Sequence, residues 1–186
     1  MMTIRPMKEQ DLPQLFELYA HARKYMAKTG NPHQWPQYYP SREILLKDID
    51  NGGYVILGER PHHQEETLDE SISKNHNDRN NSEKPAIIGA FILEENANEL
   101  AYDTIDGQWL NDEPYAVIHR CATLHNQKGI GQYFMDWCFK KCSNIRVDTH
   151  RDNLPMIKFL EKNGFTYCGI VHYEGIGERL AYQKLR

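Results

Sequence analysis

The 186-residue chain has no apolar run approaching the roughly 20 residues that a membrane-spanning helix needs. Its first residues, Met1 to Lys8, contain no apolar stretch of the kind that opens a secretory signal. Both absences lead to the expectation of a cytoplasmic protein with no membrane partner. An excess of one charge is also missing: 22 basic residues face 26 acidic ones, for a net charge of -4. Such a balance exerts no general pull on nucleic acid or anionic lipid, so an anionic ligand needs a local site. Cysteine is sparse, and Cys121, Cys138, Cys142 and Cys168 lie inside apolar segments rather than at loop staples, which fits reduced thiols. Cys138 and Cys142 share a helix face, but no second ligand pair at metal spacing accompanies them. They read as small core side chains, and no metal is expected.

What is present is enough apolar material for one sizeable core, with 40% hydrophobic and 11% aromatic residues. One domain over residues 1–186 is expected, with an insertion at 59–85. That segment is rich in Asn, Ser, Glu, His, Lys and Asp and has almost nothing to bury; it reads as a mobile extension of a hairpin, and its His62, His63 and His76 as solvated. Before it, Thr3 to Arg5 is a strand. A helix from near Lys8 follows, with Leu12, Leu15, Phe16, Tyr19 and Ala22 on one face, stopped by Gly30, Asn31 and Pro32. A loop with Trp35, Tyr38 and Tyr39 leads to a second helix capped by Ser41, and strands span 54–58 and 86–93. After a turn-rich stretch at 102–110 come a strand at 115–123, a helix at 129–141, a strand at 145–148, a helix at 155–163 and strands at 166–171 and 178–185. The order β-α-α-β-β-β-α-β-α-β-β predicts an α/β fold with a mixed sheet and helices on both faces.

The stretch from Ala116 through Asn126-Gln127-Lys128-Gly129-Ile130-Gly131 into Phe139 carries the strongest signal. A strand runs into a short polar loop with two glycines and then an amphipathic helix, so several backbone N–H groups turn toward one place at a helix N-terminus, where a phosphate is stabilised. It is not a Walker loop, because no Lys-Ser/Thr pair follows the glycines, nor a dinucleotide fingerprint, because a third glycine is missing. Downstream, Asp148 to Phe165 forms a strand end, an Asn-bearing turn and a helix closed by Gly164.

Together, in this order and spacing, the two motifs resemble those of the GCN5-related N-acetyltransferase (GNAT) family, and the resemblance extends over nearly the whole chain. It implies a mostly antiparallel sheet whose fourth and fifth strands splay apart, with an acyl-CoA thioester in the gap. By the same resemblance Gln127, Lys128, Gly129, Ile130 and Gly131 would cradle the CoA pyrophosphate. Cys121, Ala122 and Thr123 would line the pantetheine arm by main-chain bonds, and Met156 and Asn153 would face that arm. For Asn153 a second reading stands beside it, a helix cap before Pro155. Two departures matter: Asn126 occupies a position where the family usually has Gln or Arg, and Leu160 one where many members have a proton-donating Tyr.

The implied activity is N-acyl transfer from acetyl-CoA, or another acyl-CoA, to a primary amine, small molecule or peptide; the alternative is a non-catalytic CoA-binding module. Such transfer is served by positioning, by a polarised carbonyl and by a base with a pKa near 7. His119 is the candidate base, ahead of His150, and Tyr173 the candidate acid, with Tyr167 behind it. A buried histidine and packing tyrosines are the plain alternatives. Cys121 reads as a core residue beside the cofactor arm rather than a nucleophile. Trp35, Tyr38, Tyr102 and Trp109 are candidate walls for the acceptor, and Glu94 and Glu95 candidate attractors of a cationic amine. A second copy of the chain is the one protein partner considered.

Overall fold

Leu12, Leu15, Tyr19, Ala22 and Met26 recur every three or four residues, and a helix that buries this stripe follows. In the computed structural model, which describes residues 1–59, 85–124 and 128–186, it is α1 (Leu12–Lys28). Its start lies one turn later than the spacing predicts. Asp11 accepts from the Lys8 N–H at 2.8 Å and pairs with Arg5 at 2.7 and 2.8 Å, so a 3-10 turn at Glu9–Asp11 comes first. Phe16 sits beside the buried stripe and is 39% exposed. The second helix, α2 (Arg42–Asp50), opens on Ser41, whose Oγ accepts from the Ile44 N–H at 3.3 Å as expected of an N-cap.

The strands are β1 (Thr3–Pro6), β2 (Gly53–Gly58), β3 (Ala86–Glu94), β4 (Asp106–Gly107), β5 (Ala116–Thr123), β6 (Asn144–Thr149), β7 (Thr166–Tyr173) and β8 (Gly177–Leu185), with α3 (Ile130–Lys141) and α4 (Leu154–Lys162) between β5 and β7. They form one sheet in the order β1-β2-β3-β5-β6-β8-β7-β4. Every neighbouring pair is antiparallel except β5 and β6. The expected mixed, mostly antiparallel sheet is thus observed. The short β4 was not anticipated. It depends on the backbones of Gly107 and Gly169 lying so close that a Cβ on Gly107 would stand 2.2 Å from the Cys168 carbonyl oxygen. All but the end residues of the 59–85 segment lie outside the described residues.

The two faces are told apart by alternation along the strands. Val55 belongs to the cluster that includes Leu15, Tyr19 and Leu45 from α1 and α2, and its neighbour Ile56 to the cluster that includes Phe134, Cys138 and Leu160 from α3 and α4. Val117 likewise packs with Tyr102, Val171 and Ala181, while Ile118 faces α3 and α4. So α1, α2 and the Tyr102 cluster share one face, and α3 and α4 cover the other.

The parallel pair is short. Ala116 stands opposite Ile145 and Val117 opposite Arg146, and beyond them β5 and β6 part. These are the fourth and fifth strands of the expected order, and the splay is where the resemblance places it. On its other edge β5 carries a bulge, with Ala122 paired to Ala90 but His119 to Ile92, so that Arg120 and Cys121 face one residue of β3. Arg120 adopts φ +45, a left-handed conformation unusual for a side chain other than glycine. Four contacts hold it. The Tyr19 hydroxyl donates to its carbonyl at 2.9 Å, its guanidinium donates to both Asp48 oxygens at 2.8 and 2.5 Å, and its Nη1 donates to the Tyr39 hydroxyl at 3.4 Å. Asp48 is 2% exposed. Burial raises the pKa of its carboxyl, against the pull of the Arg120 guanidinium. Removing the carboxylate with Asp48→Ala leaves a guanidinium in the bulge without its counter-charge. A loss of about 3 kcal/mol in unfolding free energy is expected, read by urea titration at neutral pH. A loss under about 1 kcal/mol would place the pair among ordinary surface ion pairs.

Candidate active site

Where β5 and β6 separate, a cavity of about 930 Å³ opens through the sheet. On the α3/α4 side its wall is made by Gly131, Phe134, Val147, Thr149, Asn153, Pro155, Met156 and Phe159. α3 starts from Gly129 at φ +88, with no side chain capping its first N–H groups among the described residues. A Cβ on Gly131 would come within 2.9 Å of the Phe159 ring, so glycine there lets α3 and α4 close against each other. Ile130 is 1% exposed and anchors the turn in the core, which leaves its backbone as its means of contact. Gln127 lies outside the described residues, while Lys128 is exposed at the start of the turn.

Asn153 is the N-cap of α4, as the helix-cap reading has it: Oδ1 accepts from the Met156 N–H at 3.3 Å. Its Nδ2 donates to Gln34 Oε1 at 3.0 Å, and the same oxygen takes Asn31 Nδ2 at 2.7 Å. The loop after α1 is thereby tied across the cavity to the start of α4. Thr149 is 1% exposed, and its hydroxyl has no partner among the described residues, although the residue lines the cavity. A buried polar group in that condition is suited to a ligand.

On β5, Cys121, Ala122 and Thr123 line the cavity with Ile118, His119 and Arg120. Burial pushes the Cys121 thiol up to about 12, so it is no nucleophile at neutral pH. All four cysteines are free thiols.

The opposite chamber lies on the α1/α2 face and holds the charged groups. His119 Nε2 stands 3.6 Å from Glu94 Oε2 and 3.9 Å from Glu99 Oε2. Burial, with the Arg120 charge adding to it, lowers the imidazole to about 4, while the two carboxylates pull the other way. The ring is therefore neutral at pH 7, and a weaker base than the one with a pKa near 7 expected from the sequence. Glu99 itself is raised by burial. Asp148, at the end of β6, accepts from the Tyr102 hydroxyl and the Tyr173 hydroxyl on the same Oδ2, each at 2.8 Å. Burial raises the pKa of Asp148 and, with the Asp148 charge, that of both tyrosines. Tyr173 is therefore at the cavity, but its proton is held by Asp148.

Several expected walls lie elsewhere. Tyr102 is 2% exposed and packs with Trp109 and Tyr115, and neither Tyr102 nor Trp109 reaches the cavity. They form instead a box in which Trp109 and Tyr115 take the Arg146 guanidinium at 4.1 and 3.8 Å. Tyr38 points to solvent at 80% exposure. Its neighbour Tyr39 lines the cavity beside Trp35, which packs edge-on against Tyr19. His150 faces Asp152 and Tyr167 packs on Tyr182, both away from the cavity, and Glu95 is likewise outside it while Glu94 is in its wall. Leu160, within α4, is fully buried in the core cluster that includes Phe134 and Phe165.

The residues missed from sequence are Asp48, Arg120, Asp148, Glu99, Gln34 and Arg179. One signal was readable: Asp48 follows Leu45 by three positions on the buried face of α2, where an acid is expected only with a partner. The other residues meet only through the sheet. If burial governs His119, its ring observed by NMR titrates near 4 rather than 6.5. The unfolded chain then takes up a proton that the folded one refuses, so stability falls as the pH drops from 6.5 toward 4. A midpoint above 6.5 would mean that Glu94 and Glu99 outweigh burial.

No family model matches the sequence, and no curated protein matches it. Solved structures do. A GNAT-family acetyltransferase from Streptococcus agalactiae is 28% identical over 100% of this chain and 95% of its own, with a TM-score of 0.76. The PaiA N-acetyltransferase from Thermoplasma acidophilum, solved with coenzyme A, is 17% identical over 100% and 99%, with a TM-score of 0.60. An aminoglycoside acetyltransferase solved with coenzyme A and kanamycin is 20% identical over 100% and 95%, with a TM-score of 0.54. With its splayed β5 and β6, the glycine turn into α3 and this likeness along its whole length, the chain has the fold of the GNAT-family acetyltransferases.

Proposed function

We propose that the chain, as one domain, transfers an acyl group, most simply acetyl, from acyl-CoA to a primary amine. The observation that carries this is the cavity through the splay. One chamber ends at a glycine turn and a helix start whose first N–H groups take no side-chain cap among the described residues; the other holds a neutral histidine between two carboxylates. Coenzyme A in two of the solved structures of this fold supports the same reading. The donor's fit rests on Gly131, where a side chain would collide with Phe159, and on the orphan Thr149 hydroxyl. Lys128, Gly129, Ile130 and Gly131, with Gln127, would hold the pyrophosphate by backbone N–H groups. Cys121, Ala122 and Thr123 would run beside the pantetheine arm, with Met156 and Asn153 opposite.

The amine, entering between Glu94 and Glu99 as the free base, attacks the thioester carbonyl; as the C–N bond forms its nitrogen becomes acidic and gives a proton to His119, and the C–S bond breaks. Tyr173 is the candidate acid for the departing thiolate. As its O–H bond breaks, the S–H bond of CoA forms, and the phenolate is made phenol again by the proton that the amine gave to His119, carried through water in the cavity; Asp148 positions the hydroxyl. Placing the amine and the carbonyl together supplies much of the acceleration.

A second reading, a CoA-binding module without catalysis, draws on Leu160 in the core at the position of the family's usual acid. Calorimetric titration with acetyl-CoA and release of free thiol against a panel of amines distinguish the two. Transfer requires both. Binding without thiol release above the uncatalysed rate favours the module, and no binding at millimolar acetyl-CoA removes both readings. For the transferase, His119→Ala and Tyr173→Phe each lower kcat by about 100-fold or more, with acetyl-CoA affinity unchanged.

A further inference from the structure

Arg179 is a cation that the transfer chemistry does not use. It lies on β8 opposite Val171 of β7, so its side chain projects on the same face as Val171, Val117 and Tyr102, the face of the acceptor chamber. It is 8% exposed and lines the cavity with Tyr173, Gly175 and Ile176. One of its five donors is accounted for, Nη1 donating to the Glu178 carbonyl at 2.8 Å. Among the described residues no carboxylate lies within 4.0 Å of it, and Glu178 turns its own carboxylate to Arg151 instead. Asp148 feels its charge, but the Asp148 Oδ2 is already taken by Tyr102 and Tyr173. Its planar fork is shaped for a carboxylate, and here it lines the cavity with none on it among the described residues.

The other groups in the chamber have the opposite preference. Glu94 and Glu99 flank His119, on the strand beyond the gap. Arg120 is not available to an incoming anion, because Asp48 takes its Nε and Nη2. The chamber thus offers two carboxylates where the reacting amine enters and one uncommitted guanidinium across the splay.

From this we infer that the acceptor is an amine that also carries a carboxylate, an amino acid or short peptide, held with its amine between Glu94 and Glu99 and its carboxylate on Arg179. This names the substrate class of the site proposed above and rests on that reading for the transfer step. It does not rest on it for binding. A polyamine or an aminoglycoside-like polycation would instead place a second positive charge against Arg179, and is disfavoured.

The test pairs amino carboxylates with their own carboxamides, stepping the separation between the two groups: glycine, β-alanine, γ-aminobutyrate, glycylglycine and alanylphenylalanine. Binding is read by ligand-observed NMR with excess CoA, and transfer by thiol release from acetyl-CoA. At least one acid should bind about 10- to 100-fold more tightly than its amide, the worth of a charge-assisted hydrogen-bond pair. Arg179→Gln should abolish that difference by weakening the acid and leaving the amide unchanged, and Arg179→Lys should restore part of it. Equal binding of acid and amide, no binding by any pair, or equal weakening of both by Arg179→Gln overturns the inference. A carboxylate preference that depends on Arg179, found in a protein that releases no thiol, upholds it while removing the transferase reading.

Discussion

The cavity exists because two parallel strands stop pairing. β5 and β6 share two residue pairs and then diverge, and every feature of the site is arranged around that gap. A sheet does not open in this way without cost, since backbone groups in the gap lose their ladder partners. The neighbouring edge of β5 shows how the opening is held. The bulge at Arg120 and Cys121 bends the strand, and the bend is secured from the other layer by Asp48 on α2 and Tyr19 on α1. A buried ion pair is a weak source of net stability, but breaking one by removing a partner is costly, and Arg120 is the one ion-pair partner of Asp48 among the described residues.

From that gap the two faces of the sheet acquire different chemistry. The α3/α4 side presents backbone donors, glycine and an orphan hydroxyl, which suit a long anionic donor held through its main features rather than by side-chain charge. The α1/α2 side presents titratable groups whose charges are adjusted by burial: a histidine kept neutral, carboxyls raised, tyrosines tied to one aspartate. A neutral histidine and an arginine with no carboxylate within 4.0 Å among the described residues thus occupy the same chamber, while the Arg120 guanidinium is held by Asp48. On the proposed reading, specificity for the acceptor follows from which of the two cations is left uncommitted.

Much of the fold could be read along the chain. The stripe on α1, the Ser41 cap and the strands on either side of the glycine turn are local patterns, and their order predicted a mixed sheet with helices on both faces. The glycine turn and Asn153 were legible too, since a positive φ, a close helix contact and a cap each demand a particular residue type at one position. The aromatic candidates were not separable in this way. Tyr38, Tyr102 and Trp109 have the same composition signal as Trp35, yet Tyr38 faces solvent and the pair Tyr102 and Trp109 packs around Arg146. Aromatic rings fill cores and line sites by the same means, and only the packing tells which.

By itself the sequence determined the order of the elements other than β4, the glycine turn at the start of α3, and the absence of an acid at Leu160. Each depends on residues within a few positions of one another, where backbone geometry and side-chain period leave few choices. Tertiary structure decided what His119 faces, which arginine keeps its charge free, and that one aspartate binds two tyrosines. These pairings join residues tens of positions apart, Asp48 to Arg120 and Tyr102 to Asp148 among them. They are set by strand order and by the bulge, and neither leaves a periodic trace in the chain. Protonation follows the same division: a histidine's identity is written in the sequence, but its pKa is set by burial and by neighbouring charges, which exist only once the sheet has formed.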